Sequence, residues 1–202
     1  MRKATKQAKN NEKGSQVLEF ALVCLVIVPF LLGVVVIGLN LGRSVQVAQI
    51  GRDAGSMFVR GIDFSQTSNQ DILVRLSQGL GMTRTAGTGV VILSKVTFIS
   101  AAACGALSPC NSNQYVVAER LVIGNSALRS SNFGPAGAVT VDSYGSVANY
   151  MTDANAVATG FSSVMTLNSN EFAYVSETYF PSPSFDMPGF ETGSGVYARA
   201  IF

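Results

Sequence analysis

One long apolar run near the N-terminus dominates the hydrophobic pattern of the chain. Residues 17–41 read VLEFALVCLVIVPFLLGVVVIGLNL, about 25 mostly apolar positions that would extend roughly 37 Å as a helix rising 1.5 Å per residue. The hydrocarbon core of a bilayer is about 30 Å thick, so this run predicts one transmembrane helix. Pro29 removes a backbone hydrogen bond, and Gly33 and Gly38 carry no side chain, which favours a kink or a close helix contact near Pro29.

The helical pattern continues beyond the transmembrane segment. After Gly42, apolar residues recur at close to 3.6-residue spacing between arginine, glutamine and aspartate. This spacing predicts one continuous helix to about Val59. The alternative is a helix broken at its glycines, since Gly51 and Gly55 each cost roughly 1 kcal/mol relative to alanine.

The rest of the chain has the pattern of a small α+β domain. Residues 61–69 read as a connector, and an amphipathic helix follows, with its cap within residues 68–71 and its end at Gly79 or Gly81. Strands in which β-branched and aromatic residues partly alternate with polar ones are predicted at residues 90–100, 114–123, 171–180 and 197–202. The first two of these strands would pair as a β-hairpin.

The stretch between the second and third strands is less decisive, because Gly, Ser, Asn and Ala dominate residues 124–160. A short strand is expected at residues 139–141, and either a short helix or an irregular loop at residues 146–157. The expected fold class is therefore α+β. A long N-terminal transmembrane helix would extend into an exported domain whose small antiparallel β-sheet packs on the helix.

The charges predict how the helix is oriented in the membrane. Residues 1–14 carry one acid, Glu12, against five bases: Arg2, Lys3, Lys6, Lys9 and Lys13. The positive-inside rule places this end in the cytoplasm and the C-terminal domain on the other side of the membrane. The expected location is therefore the cytoplasmic (inner) membrane, which the chain would cross once. The apolar run is also longer than the roughly 7 to 15 residues of a cleavable secretory signal.

The overall charge gives no indication of a nucleic-acid partner. The formal charge is +2, but from Ser15 onward nine bases face eleven acids, so the basic excess lies in the N-terminal segment. No basic patch or stripe of the kind that binds nucleic acid is apparent.

Two of the three cysteines bracket a short turn. Cys104 and Cys110 flank Gly-Ala-Leu-Ser-Pro, at the expected turn of the hairpin, and an exported domain lies where disulfides persist. We therefore predict a Cys104–Cys110 disulfide. A metal site is the alternative, but the chain has no histidine and no second cysteine pair to complete four ligands, so no metal or cofactor is expected. Cys24, in the apolar run, is read as a small packing residue.

A single carboxylate opens the apolar run. Glu19 is the only acid or base among residues 17–39, and a charged side chain in a membrane helix costs roughly 2.5 to 3.5 kcal/mol on insertion scales. An ammonium group close to Glu19 would offset that cost. The alternative is that Glu19 lies at the headgroup level of an ordinary signal anchor, with no partner.

The start of the apolar run resembles the processing signal of type IV pilins, in which Gly14 is followed by Ser15 and Glu19-Phe20 by Ala21-Leu22. The longer segment of residues 14–54 resembles the TadE and TadG class of minor pseudopilins of the tight-adherence (Flp) pilus. The resemblance implies that a prepilin peptidase cuts after Gly14. Glu19 would then pair with the new amine of Ser15 on a neighbouring subunit, with Phe20 beside it in the assembly signature.

The same resemblance implies the organisation and partners of the chain. Residues 1–14 would be a cytoplasmic leader peptide, residues 15–60 the transmembrane and amphipathic helix, and residues 61–202 the exported domain. The implied partners are the prepilin peptidase, other pilins or pseudopilins, the pilus assembly platform and membrane lipid. The implied role is structural, with no catalytic residues.

Two other function classes compete with this interpretation. An exported enzyme would have to rely on paired carboxylates, such as Glu171 with Glu177 or Asp142 with Asp153, because the chain has no histidine for a nucleophile–histidine pair. A membrane-anchored adhesin or ligand-binding domain would use the polar loops of residues 125–170, where Tyr144, Tyr150 and Asp153 are candidate contacts.

Overall fold

A computed structural model of the protein describes residues 4–134, 139–182 and 195–202, with side chains from residue 14 onward. The first element, α1 (Ala4–Val59), is a single helix of 56 residues with Pro29 inside it. The predicted continuity to Val59 is confirmed, and the helix also extends upstream of residue 15, through the expected leader. Among the described residues, this is the one helix long and apolar enough to cross a membrane.

The chain divides into two compact units after Arg43, which lies within α1. The last turns of α1 therefore belong to the second unit. The second unit continues with α2 (Thr67–Leu76), β1 (Val90–Ile99), α3 (Ala101–Cys104), β2 (Gln114–Gly124), β3 (Phe172–Phe180) and β4 (Val196–Ile201). Short 3-10 turns lie at Gln78–Leu80, Ala154–Ala156 and Phe161–Ser163.

The four strands form one antiparallel sheet in the order β2-β1-β3-β4. β1 and β2 are adjacent in sequence and in space, as the predicted hairpin requires, and the register between them shifts at Lys95/Val96. The expectation of a long apolar helix and a small antiparallel sheet in an α+β fold is confirmed. All four strands lie within one or two residues of their predicted bounds.

One face of the sheet shares a buried cluster with the last turns of α1. Every fourth or third residue of these turns belongs to it, together with residues of β1 and β3: Val47, Ile50, Ala54, Phe58, Val91, Leu93 and Phe180. Two glycines of α1, Gly51 and Gly55, lie against β3. A Cβ at Gly51 would lie 2.9 Å from Thr178 Oγ1, and Thr178 Oγ1 donates a hydrogen bond of 3.3 Å to the Val47 carbonyl. The helix therefore approaches the strand closely at these positions.

The opposite face of the sheet is covered by the irregular segments. Side chains of β1, β2 and β3 are buried there with aromatic and aliphatic residues of the loops: Val96, Val117, Ala173, Val175, Phe133, Phe161 and Leu167. Phe161 packs edge-on to Phe133 at a centroid distance of 5.3 Å. With both faces covered, the sheet is the centre of the second unit.

In the described residues of the glycine- and serine-rich stretch, 125–134 and 139–160, there is neither a strand nor an α-helix. Residues 139–141 have no strand conformation, so that prediction is wrong, and residues 146–157 are irregular apart from the turn Ala154–Ala156. The outer edge of β2 is occupied by this stretch through hydrogen bonds from Arg120 N to Gly145 O, Val147 N to Ala118 O and Ala158 N to Tyr115 O. Residues 139–141 are not part of that pairing.

The predicted cap of α2 is also wrong. The helix starts at Thr67, its N-cap is Gln66, and that side chain makes no capping hydrogen bond. The α-helix ends at Leu76, short of the predicted end at Gly79 or Gly81. A 3-10 turn, Gln78–Leu80, follows it, and Gly81, with φ of 75° in the left-handed region, caps that turn.

Candidate functional site

The candidate processing segment lies in α1, in the first unit. Gly14, Ser15, Glu19 and Phe20 are all exposed on the helix, and a Cβ placed on Gly14 would meet no other atom within 4 Å. Ser15 and Glu19 are four residues apart, so they occupy one helix face about one turn from each other. The Ser15 side chain and the Glu19 carboxylate can therefore contact the same partner.

The helix around Glu19 exposes a continuous apolar surface. Phe20, Leu25 and Phe30 are each 70% exposed or more, and most of the other large apolar side chains of residues 17–41 are at least half exposed. An apolar helix of this length near the N-terminus is typical of a membrane anchor or a signal segment. Cys24, the free cysteine, is half-buried on the same segment.

The disulfide prediction is confirmed in the second unit. Cys104 and Cys110 are bonded, with their Cα atoms 6.0 Å apart, at the turn between β1 and β2. Directly after the bridge, Asn111 donates hydrogen bonds of 2.9 Å to Tyr150 O and 2.7 Å to Asp153 O. The closed loop is thus attached to the irregular segment that covers the edge of β2.

A buried polar network crosses the sheet on the face away from α1. Arg120 of β2 and Glu177 of β3 are 3% and 2% exposed. Arg120 donates to Ser94 Oγ at 3.1 Å and also to Ser131 Oγ and Phe133 O, while Ser131 Oγ and the Asn132 N–H donate to the Glu177 carboxylate. The network therefore holds residues 131–133 against the sheet.

A tyrosine and a second arginine complete this network at β4. Tyr197 donates a 2.7 Å hydrogen bond to Glu177, and the Arg129 guanidinium lies over the Tyr197 ring at 4.2 Å. Burial raises the pKa of Tyr197 and the Glu177 carboxylate raises it further, while burial lowers the pKa of Arg120 against the opposing effect of Glu177. Arg120 and Glu177 are buried and Tyr197 and Arg129 are partly buried at the edge of the network, and together these side chains fix the loop against the sheet.

An open groove of about 280 Å³ lies on the other side of the sheet. It is bounded by the end of α1, the following loop, strands β1 to β3 and the turn around Tyr144. The lining residues that carry its chemistry are Phe58, Asp63, Lys95, Glu119, Tyr144 and Tyr174. This groove combines carboxylates, a single cation and aromatic side chains.

The two carboxylates of the groove have different electrostatic environments. Asp63 is exposed, and hydrogen bonds from the Ser65 side chain and backbone hold its pKa below the usual range, with Gln66 adding to the effect. Glu119 is half-buried; burial raises its pKa, Lys95 opposes this, and the nearby carboxylates Asp63 and Asp142 raise it further. Negative charge is therefore in excess around Glu119.

The loop residues proposed for an adhesin have separate roles. Tyr144 is 60% exposed and lines the groove, whereas Tyr150 packs beside the cluster formed by Ile99, Val116 and Val147. Asp153 accepts a hydrogen bond of 2.9 Å from the Asn155 N–H at the start of a 3-10 turn. Of these three residues, Tyr144 lines the groove beside Glu119, whereas the partly exposed Asp153 lines a separate groove beside Thr152.

The carboxylate pairs considered for an enzyme are engaged separately. Glu171 is exposed and bonded to Asn168, whereas Glu177 is buried in the polar network six positions further along β3. Asp142 accepts the N–H groups of Tyr144 and Ser146, and Asp153 that of Asn155. In the part of the chain that the structure describes, no group of three or more acidic or cysteine side chains could hold a metal ion.

The polar network and the groove are absent from the sequence-based expectations. Their signal was present: Lys95, Glu119, Arg120 and Glu177 are charged residues inside strands that otherwise read as apolar or aromatic. Lys95 and Glu119 are opposite each other in the hairpin register, which a hairpin prediction with the correct register would have found. Comparison with known proteins adds no family: no family model matches the chain, and no curated protein or solved structure is detectably similar to it.

Proposed function

We propose that the protein is a minor pseudopilin of a Tad-type (Flp) pilus, a structural subunit that a prepilin peptidase processes after Gly14. The observation that carries the proposal is the position of Glu19, four residues after Ser15 on one exposed face of a long apolar helix. In this account residues 15–60 form the membrane-embedded and amphipathic helix, the sheet packs on its outer part, and residues 61–202 form the exported domain.

Processing would change the electrostatics of this helix face. Cleavage after Gly14 makes Ser15 the first residue, which creates a new helix end with an ammonium group, unsatisfied N–H groups and the positive end of the dipole. A carboxylate close to this end is stabilised. Pairing of the Ser15 amine with Glu19 of a neighbouring subunit would remove both charges from lipid and fix the register of the two helices.

The exposed surface and the disulfide support export and assembly. The apolar side chains of residues 17–41 have no cover within the described part of the protein, so lipid and neighbouring pilin helices would supply it. The Cys104–Cys110 bond suits an extracytoplasmic domain, where disulfides persist. Lipid, the peptidase, other pilins or pseudopilins and the assembly platform are the partners of this proposal.

The test separates processing from assembly. Glu19→Ala should be cleaved by a coexpressed prepilin peptidase to nearly the same extent as the wild type, but fewer subunits should enter pili or the assembly complex. The neighbouring polar residue Gln16, changed to alanine, is the control because it leaves the carboxylate in place. Normal assembly of the Glu19→Ala protein would contradict the proposed pairing.

The second candidate is a signal-anchored adhesin or ligand-binding domain that is not processed. One observation favours it, the groove beside Tyr144, which is a concave surface with both charged and aromatic side chains. An uncut chain in the presence of active peptidase would favour this alternative.

A further inference from the structure

We propose that the groove lined by Asp63, Glu119, Tyr144 and Tyr174 binds a lysine or arginine side chain of a protein partner. This inference goes beyond the processing proposal and does not rest on it, because all of the lining residues belong to the second unit of the chain.

The charge of the groove is not balanced internally. Lys95 and Glu119 are paired in the register of β1 and β2, yet the Lys95 ammonium is turned toward β3, 4.3 Å from the centroid of the Phe172 ring. Among the described residues, none forms an ion pair or a hydrogen bond with the Glu119 carboxylate. The lining thus holds two carboxylates, Asp63 and Glu119, against one cation, Lys95, which leaves a net negative charge. The Glu119 carboxylate can accept hydrogen bonds from an added cation, and such bonds to charged groups contribute more than neutral ones; Asp63, which already accepts hydrogen bonds from Ser65 and Gln66, adds to the attraction.

Aromatic side chains form the walls beside these carboxylates. Phe58 and Tyr174 pack edge to face with centroids 5.4 Å apart, and Tyr144, which also lines the groove, is 60% exposed. The Lys95 ammonium already lies 5.7 Å from the Tyr174 ring centroid, and Phe58 is buried, so the exposed Tyr144 ring is the one available to a partner. A lysine or arginine side chain can lay its aliphatic stem on the Tyr144 ring and place its charge near the ring face, which is worth roughly 0.5 to 1 kcal/mol at an exposed site.

The groove is held in shape before any partner binds. Asp142 accepts hydrogen bonds of 2.8 Å from the Tyr144 N–H and 2.9 Å from the Ser146 N–H, which closes the turn that carries Tyr144. The Arg120 N–H bonds to Gly145 O at 2.7 Å and fixes this turn to β2. On the other side, the Ser65 N–H donates to Asp63 at 2.8 Å. A preformed site loses less entropy on binding.

The size of the groove indicates one side chain as the occupant. Its volume of about 280 Å³ lies at the lower limit of the roughly 300 to 1,000 Å³ that encloses a small-molecule ligand. The absence of a three-ligand acidic cluster in the described residues disfavours a bare metal ion. Arginine and tyrosine are also the residues that most often dominate protein interfaces.

The test is an NMR titration of the full-length protein in detergent micelles at low salt, observed at ¹³C-labelled tyrosine rings. The probe is N-acetyl-arginine amide, and the matched uncharged probe is N-acetyl-citrulline amide. We expect saturable shifts of the Tyr144 and Tyr174 signals with the arginine probe, at a Kd of about 1 to 10 mM, and at least tenfold weaker binding of the citrulline probe.

Variants decide whether the groove carboxylates recognise the probe. Glu119→Gln should weaken arginine binding at least fivefold, and Asp63→Asn should act in the same direction. Asp53→Asn is the control, since Asp53 is an exposed acid of α1 that does not line the groove and its substitution makes the same charge change. Before the probe is added, the tyrosine signals of each variant are compared with those of the wild type to check that the variant is folded.

Three outcomes would overturn the inference. Equal binding of the arginine and citrulline probes would show that charge is not recognised, and equal weakening by Asp53→Asn and Glu119→Gln would show general attraction only. Tighter binding of Ca²⁺ than of the arginine probe at these tyrosines would assign the groove to a metal ion. Self-association of the wild type that Glu119→Gln abolishes would support the inference and identify the partner as a second copy of the chain.

Discussion

Gly55 of α1 lies directly against Ser176 of β3: a Cβ built on Gly55 would come within 3.1 Å of the Ser176 Cβ and would also meet the ring of Phe202. The glycines of this helix were expected to weaken it, because each costs roughly 1 kcal/mol in a helix interior. The contact gives the glycine a packing reason that outweighs its low helix propensity. The Ser176 hydroxyl beneath it is fully buried.

This contact predicts the sign of a substitution. Gly55→Ala should lower the melting temperature of the protein, because the added methyl group has to displace β3 or Phe202, and overpacking of this kind costs typically 1–3 kcal/mol. Gly42→Ala is the matched control, since a Cβ there meets nothing within 4 Å and should raise helix stability. Thermal unfolding followed by circular dichroism in detergent compares the two, and an equal rise in melting temperature for both would contradict the packing argument.

The sequence determined the long helix, the strands and the disulfide because each has a local signal: an apolar run, alternating residues, and two cysteines around a turn. The irregular stretch around Asp142 lacked such a signal, because its conformation depends on bonds to the distant edge of β2. Glu19 was identifiable as an isolated acid in an apolar run. The groove could not be predicted, because it forms where residue 63, after α1, lies near residue 119 of β2, and no local sequence pattern contains that proximity.

The buried network that joins Arg120 to Glu177 through Ser131 predicts coupling between two substitutions. Glu177→Gln should destabilise the protein by about 1 to 3 kcal/mol, because the group that accepts hydrogen bonds from Ser131, Asn132 and Tyr197 loses its charge while the Arg120 guanidinium stays buried. Adding Arg120→Met to that variant should recover part of the loss, since the remaining charge is removed. Denaturant unfolding of the two single variants and the double variant measures the coupling, and simple additivity of the two single effects would exclude it.

The raised pKa of Glu119 predicts a pH dependence of stability. Because burial holds its folded-state pKa above the unfolded value, the protonated form favours folding, and this contribution is complete below the unfolded pKa and lost as the pH rises through the folded pKa. Glu119→Gln should therefore unfold at a higher temperature than the wild type at pH 7 and at nearly the same temperature near pH 4. A larger advantage of the variant at pH 4 than at pH 7 would contradict this sign.

The disulfide predicts a modest loss of folding stability when the Cys104–Cys110 bond is removed. Cys104 and Cys110 are six positions apart, and closing so short a loop stabilises the folded state by about 2 kcal/mol in the chain-entropy model. Cys110→Ser should therefore lower the free energy of unfolding by about that amount, and mild reduction of the wild type should have the same effect. Cys24→Ser is the control and should respond to reduction as the wild type does.

The most direct test of the central claim is the intact mass and N-terminal sequence of the protein isolated from its membrane, with and without a coexpressed prepilin peptidase. The mature chain should begin at Ser15 only when the peptidase is active, and replacement of Gly14 by a large residue such as leucine should block the cut. A chain that keeps residues 1–14 despite active peptidase would contradict the pseudopilin assignment and leave a signal-anchored domain.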